Sequence, residues 1–270
     1  MFRTAAIITI IFLTAALGSI QRPAPQSHAA ATSAAQTTRC PFAPPTCAAH
    51  EAAILSATVR MHIISTAKIP TEALEAETAT GLSGNGHGTV LDGRYVVTHN
   101  HFSALPLTAL AGDIADLIII TLYDANGRVL LYARGDYVSV VQVDGETVVL
   151  DFGVTGEGIG RLAAAGSQSA TLHPDAERHD WTGHYVAQVD WDGTRSHVNW
   201  AVVEGHDERN GTPIVVLDSP IRLGASGGGI FIDGQHIANN MSRLELCSVD
   251  DVCHAVGSTG ALNSQMLGGE

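Results

Sequence analysis

Residues 224–229 read Gly-Ala-Ser-Gly-Gly-Gly, a serine set among glycines with apolar runs on both sides. A hydroxyl at such a turn stands clear of neighbouring side chains, where it can act as a nucleophile. Serine is weak in that role unless a base takes its proton, a carboxylate orients the base, and donors receive the oxyanion that forms. Upstream, residues 84–102 read as a Gly-rich hairpin whose second strand runs into Thr98-His99-Asn100-His101. Serine and imidazole in these settings imply a Ser/His hydrolase.

In their chain order the two stretches resemble the trypsin-like (chymotrypsin-fold) serine peptidases. There a Gly-x-Gly strand, a Thr-x-x-His turn, a carboxylate and a Gly-x-Ser-Gly-Gly loop follow one another. Within that group the resemblance is to bacterial HtrA-type protease domains. Their frame Asp-x-x-Ile-x-x-Gly-x-Ser-Gly-Gly is met at every fixed position from Asp218 to Gly228. The resemblance implies Ser226 as nucleophile, His101 as base, and the N–H groups of Gly224 and Ser226 as oxyanion hole. It also implies an acyl-enzyme route to peptide-bond cleavage, polypeptide substrates, and no metal or organic cofactor.

The carboxylate departs from the family pattern. The best register, Glu146-Thr147-Val148-Val149-Leu150-Asp151-Phe152, puts Glu146 where Asp is usual, with Asp151 as the alternative and Asp144 a further fallback. Asp136 fits poorly, because Ser139 and Gln142 fall where apolar residues are expected. Ala225 replaces the Asp that pairs with a new N-terminus in many trypsin relatives, so activation through that ion pair is not expected. The specificity pocket, by resemblance, involves Pro220, Ala238 and Asn240. Pro220 stands where trypsin has its selecting acid, which implies an uncharged slot for small or medium apolar side chains.

Those residues need strands to hold them. Apolar runs bounded by Gly, Asp and Asn recur at short intervals from Ile54 to Leu262, the pattern of an all-β protein. Asp124-Ala125-Asn126-Gly127 and Asp190-Trp191-Asp192-Gly193 carry tight-turn chemistry. A Gly/Ala/Ser-rich stretch from Gly153 to Ser169 divides the strands into two groups. With the resemblance, this becomes two antiparallel six-stranded β-barrels with the site in the cleft between them. Residues 49–155 carry His and the carboxylate, 156–180 cross over, and 181–270 carry Ser.

The N-terminus has Arg3 and then an apolar run from Ala5 to Ile20, the layout of an export signal over residues 1–20. The run falls short of the ~20 residues a membrane span needs, so cleavage and a secreted or extracytoplasmic protein without a stable span are expected. Residues 21–48, rich in Ala, Pro, Ser and Thr, read as a tether or propeptide without its own core. No further peptide-binding module is expected after the serine motif, and a monomer is favoured. Export makes two local disulfides, Cys40–Cys47 and Cys247–Cys253, the simplest of three pairings.

A net charge of −13, with Lys68 the only lysine, argues against nucleic acid as a partner. Rival readings are weaker. The Gly-x-Ser-x-Gly within residues 224–228 is also the form of an α/β-hydrolase elbow, giving an esterase, but it leads into a strand rather than a helix. His99-x-His101 as a metal pair of an amidohydrolase barrel lacks a downstream lysine. The Gly84–Gly88 run precedes a strand, so it is a hairpin and no dinucleotide loop. The serious alternative is a catalytically dead member of the fold acting as a binding protein.

Overall fold

The computed structural model describes residues 40–65, 83–102, 105–107, 110, 115–209, 211–247 and 253–262. The expected export signal therefore lies outside the described residues. Among the described residues, sixteen strands and two α-helices follow in chain order. They are α1 (Pro44–Ser56), β1 (Thr58–Ser65), β2 (Ser83–Leu91), β3 (Tyr95–His99), β4 (His101–Phe102), β5 (Leu105–Pro106), β6 (Ile118–Tyr123), β7 (Val129–Arg134), β8 (Ser139–Asp144) and β9 (Thr147–Asp151). After the crossover come α2 (Arg161–Ala164), β10 (Thr171–Leu172), β11 (Tyr185–Trp191), β12 (Ser196–Arg209), β13 (Thr212–Leu217), β14 (Gly229–Ile232), β15 (Gln235–Cys247) and β16 (Cys253–Leu262).

The strands form two lobes. In the first, seven strands run in the order β7-β6-β1-β2-β3-β9-β8. In the second, β15-β14-β11-β12-β13-β16 closes on itself through β15–β16, with β10 added parallel at β15. The expectation of two closed six-stranded barrels thus holds for the second lobe. The first is an open, half-barrel sheet among the described strands, its ends β7 and β8 left unjoined.

Alternation sets each lobe's interior. In β1, Val59, Met61 and Ile63 enter a core with Val96, Ile120, Leu150 and Phe152, while Arg60 and His62 point to the other face. The second core gathers Val186, Ala201, Val215, Leu217, Ile230 and Ile237. Each such side chain contributes roughly 1.5–3 kcal/mol on burial. Asp124 and Asp192 make the turns expected of them, each accepting two backbone N–H bonds from the residues that follow.

The apolar run that opens at Ile54 does not begin as a strand. Residues up to Ser56 belong to α1, whose Pro44 sits in the first turn, where proline's missing N–H has no helical partner to lose. The segment expected to be a tether through residue 48 therefore joins the fold from its last few residues onward. The Cys40–Cys47 disulfide braces the start of α1. Cys47 and Ile54 pack with Ala187, Val189 and Phe231, and Trp200 Nε1 donates to Glu51 Oε1 at 2.9 Å.

Candidate active site

The site is assembled where the Ser226 loop of the second lobe lands on β2 and β3 of the first. Gly227 makes that landing possible. Its φ is +80°, and a Cβ there would collide with the His87 carbonyl and Thr98 Oγ1 and crowd the His99 N–H. Glycine alone relieves both constraints. The contact is sealed by the His87 N–H, which donates to the Ser226 carbonyl at 2.8 Å, and by Thr98 Oγ1, which donates to the His87 carbonyl at 2.5 Å. Ser226, half-buried, is thereby set beside the threonine that opens the histidine turn.

That turn is pinned from both sides. The Asn100 N–H donates to the Glu146 carbonyl and its carbonyl accepts from Leu107 N–H, each at 2.8 Å. Asn100 links β3 to β4, which opens with His101 paired to Pro106. The His101 side chain lies outside the described residues. Glu146 immediately precedes β9, whose Thr147 is the register partner of His99. Its Oε2 lies 3.8 Å from His99 Nδ1. The chosen carboxylate thus stands at the His99–His101 turn.

Asp151, the alternative carboxylate, is at the far end of β9. Burial opposes its charge, but the fork of Arg94, with Nε at 2.7 Å, and the Gly153 N–H at 2.6 Å outweigh it and hold the carboxyl below its ordinary range. Its acceptors are spent on the β2–β3 turn and the chain leaving β9. Asp144, in β8, pairs in register with Thr147.

The oxyanion candidates are built by backbone alone. Gly224 has φ +94°, the left-handed region, and a Cβ there would press on the Trp191 ring at 3.2 Å. Among the described residues neither the Gly224 N–H nor the Ser226 N–H donates within the protein, whereas Ala225 N–H donates to Arg222 and Gly228 N–H to Ala225. Two free N–H groups flanking a half-buried serine are what an oxyanion requires.

Residues to which the sequence reading gave no part in the site, His87, Asp190 and Gln188, hold this loop. His87 is 1% exposed and bridges the lobes: Nδ1 lies 2.7 Å from the Gly224 carbonyl and Nε2 2.8 Å from Ser196 Oγ. A carbonyl only accepts, so Nδ1 carries the proton and Nε2 accepts from Ser196. Burial, aided by the charge of Arg60, pushes the His87 pKa down to about 4 despite the Gly224 carbonyl. Asp190, buried in β11, accepts the Arg222 N–H through Oδ1 and Asn199 Nδ2 through Oδ2, both at 2.9 Å. Gln188 donates to Asn240 Oδ1 and Ser258 Oγ, and Ser258 donates on to the Ser219 carbonyl.

Of the residues assigned to the specificity pocket, Pro220 is half-buried, while Ala238 and Asn240 have no exposed surface. Asn240 Nδ2 donates to the Val189 carbonyl at 2.6 Å, and its main chain exchanges bonds with Gly227 and Gly228 at 2.8 Å. It lies directly beneath the serine loop. Cys247 and Cys253 are register partners across β15–β16, their side chains outside the described residues.

No protein-family model matches the chain, and no curated protein matches it in sequence. Solved structures do. The HtrA-type protease AlgWS227A with decapeptide aligns with a TM-score of 0.53 at 14% identity, over 82% of this chain. This chain spans 63% of the length of that one. The Rv3671c protease from M. tuberculosis, active form, aligns with a TM-score of 0.49 at 15% identity, over 80% of each chain. The fold is the trypsin-like double barrel of HtrA-type protease domains.

Proposed function

We propose that the protein is an exported serine endopeptidase that cleaves exposed polypeptide segments through an acyl-enzyme. Ser226 attacks the carbonyl, His101 takes its proton and later hands it to the leaving amine, and Glu146 orients the imidazole. The Gly224 and Ser226 N–H groups receive the oxyanion. The observation that carries this reading is the docking of Gly227 onto His87 and Thr98, which seats a half-buried serine with two free flanking N–H groups at the His99–His101 turn. An ordinary loop would leave neither the serine nor the amides so placed. Glu146 replaces aspartate with one more methylene, on a backbone whose carbonyl is held by the Asn100 N–H.

The test is labelling of the mature protein with a fluorophosphonate, read together with hydrolysis of a peptide library. Wild type labels at Ser226. Ser226→Ala abolishes both labelling and hydrolysis, and His101→Ala lowers turnover by several orders of magnitude, roughly 10⁴-fold or more, with the far-UV spectrum unchanged. An unlabelled, folded wild type makes the chain a binding protein on this scaffold. Loss of activity in His99→Ala but not in His101→Ala moves the base to His99.

A further inference from the structure

Beside Gly224 lies a cavity of about 460 Å³. Arg60, Asn85, Trp191, Leu223 and Gly224 line it. None of the residues assigned to the acyl-side slot, Pro220, Ala238 or Asn240, takes part. It opens over the outer face of β1–β2, the face shared by the register partners Arg60 and His87. Leu223, at its rim, is 86% exposed.

Arg60 is the unusual member. The chain has 27 acidic residues against 14 basic ones, and arginines 94, 128, 134, 195 and 243 each pair with a carboxylate. Arg60 pairs with none among the described residues, as is also true of arginines 161, 178, 209 and 222, and it is set apart by its surroundings. Its guanidinium is instead held between two rings, 4.1 Å from the centroid of Tyr123 and 4.9 Å from that of Trp191. Its Nε is buried without a hydrogen-bond partner. A buried donor of this kind is costly to leave unmet. Stacking between aromatic faces fixes the guanidinium plane while leaving its edge for a planar anion.

We propose that this cavity binds a carboxylate of the substrate on the leaving-group side of the cut, with Arg60 as the selecting residue. The inference rests on the peptidase reading, since that reading places the scissile carbonyl at Gly224 and Ser226. The cavity shares Gly224 with the proposed oxyanion hole and has none of the residues assigned to the acyl-side slot, which favours the leaving-group side. The carboxylate comes either from an Asp or Glu side chain just after the cut or from a free C-terminus. The guanidinium fork receives both in the same geometry. Asn85 and Trp191 supply an amide and a ring wall around it.

The test uses internally quenched peptides, randomised before the cut and carrying Glu, Gln or Lys at the first or second residue after it. Each is made as free acid and as C-terminal amide. With the full-length protein, Glu is expected to exceed Gln by about tenfold in kcat/KM and Lys by more. In Arg60→Gln the Glu-to-Gln ratio falls to about one. A preference surviving in amidated Glu peptides assigns the side chain, and one confined to free acids of Gln peptides assigns the C-terminus. Equal rates for Glu and Gln together with equal rates for free acids and amides in the wild type overturn the proposal without any variant, as does a preference that Arg60→Gln leaves intact. If the protein hydrolyses nothing, the same pairs are titrated against Trp fluorescence. Tighter binding of the carboxylate member, lost in Arg60→Gln, then sustains the subsite while the peptidase reading falls. Equal binding or none overturns both.

Discussion

The two lobes hold their shares of the site by different means. In the first, the interior beneath β1, β2, β3 and β9 is packed with apolar side chains, and the catalytic candidates sit at strand ends and turns fixed by backbone bonds. In the second, a polar chain runs through the barrel from Gln188 to Asn240, Ser258 and Ser219, with Asp190 alongside, and it ends on the loop that carries Ser226. An apolar core sets a scaffold but does not choose among loop conformations. Buried, directional bonds do, because an unmet partner inside the protein is expensive. The first lobe therefore supplies side chains on a rigid wall, and the second supplies a backbone conformation.

The largest effect separates two carboxylates within the first lobe. Glu146→Gln is expected to lower turnover by orders of magnitude, about 10²–10⁴-fold, with little change in melting temperature. Asp151→Asn, which weakens the Arg94 fork, is expected to act on stability by about 1–3 kcal/mol and on turnover little. Steady-state kinetics beside thermal melts of both variants decides, and the reverse ranking moves the triad to Asp151.

Next in size is the contrast between the lobes themselves. Leu150→Ala, a cavity in the apolar wall, is expected to cost roughly 2–5 kcal/mol while the folded fraction keeps its kcat. Asn240→Ala strips bonds from Val189 and Gln188 at a comparable cost, and here kcat of the folded fraction falls as well, because the Ala225 carbonyl of the serine loop loses its Nδ2 donor. Equal specific activity in both variants would erase the distinction drawn here.

Much of this was legible in the sequence, for reasons that differ along the chain. Period-two alternation exposed the strands, and Asp-Gly and Asn-Gly pairs exposed the turns, since both are local properties. The hairpin read over residues 84–102 turns at Asp92-Gly93, and β14 and β15 part likewise at Asp233-Gly234, where positive φ reverses the chain. The helix was hidden because Ala-rich residues 48–53 show no sharp apolar face; its partner surface on β11–β12 is more than a hundred residues away. Ser226 and the Thr98–His101 turn could be proposed from sequence because each motif is contiguous. His87, Asp190 and Gln188 were not, since each acts on a partner far along the chain, and the only local sign was a polar residue inside a strand destined for burial. Asn240 was read as a pocket wall on position alone; the bonds that place it under the serine loop come from strand pairing.

A pH titration of stability sharpens the comparison further. Burial pushes His87, between the lobes, and His236, inside the second, down to about 4 from 6.5. In the window between about 4 and 6.5 the unfolded chain binds protons there that the fold excludes. Stability from these groups is thus full above 6.5 and lost as pH falls toward 4, by up to roughly 2.7 kcal/mol per pH unit for two protons. Denaturant melts from pH 7 to pH 4.5 should show that slope, and His236→Gln should halve it. A flat profile would mean that both rings accept a proton in place.

The smallest effect is expected from reduction. Mass mapping should find Cys40–Cys47 and Cys247–Cys253 linked, and reducing agent should lower stability by a few kcal/mol, about 2–4, while the folded enzyme still reacts with fluorophosphonate. Free thiols at residues 247 and 253 would refute the second pairing.

One residue ties the lobes more tightly than its size suggests. The His87 N–H holds the Ser226 carbonyl, its own carbonyl holds Thr98, and its ring holds Gly224 on one side and Ser196 on the other. The Ser226 loop, the Gly224 turn and the Thr98–His101 turn are thereby geared to a single residue. Shearing one lobe against the other by an ångström would disengage the Ser226, Gly224 and Ser196 contacts together while Thr98 stays on His87, so the opening of the cleft and the loss of the proposed site's geometry lie along one mechanical coordinate.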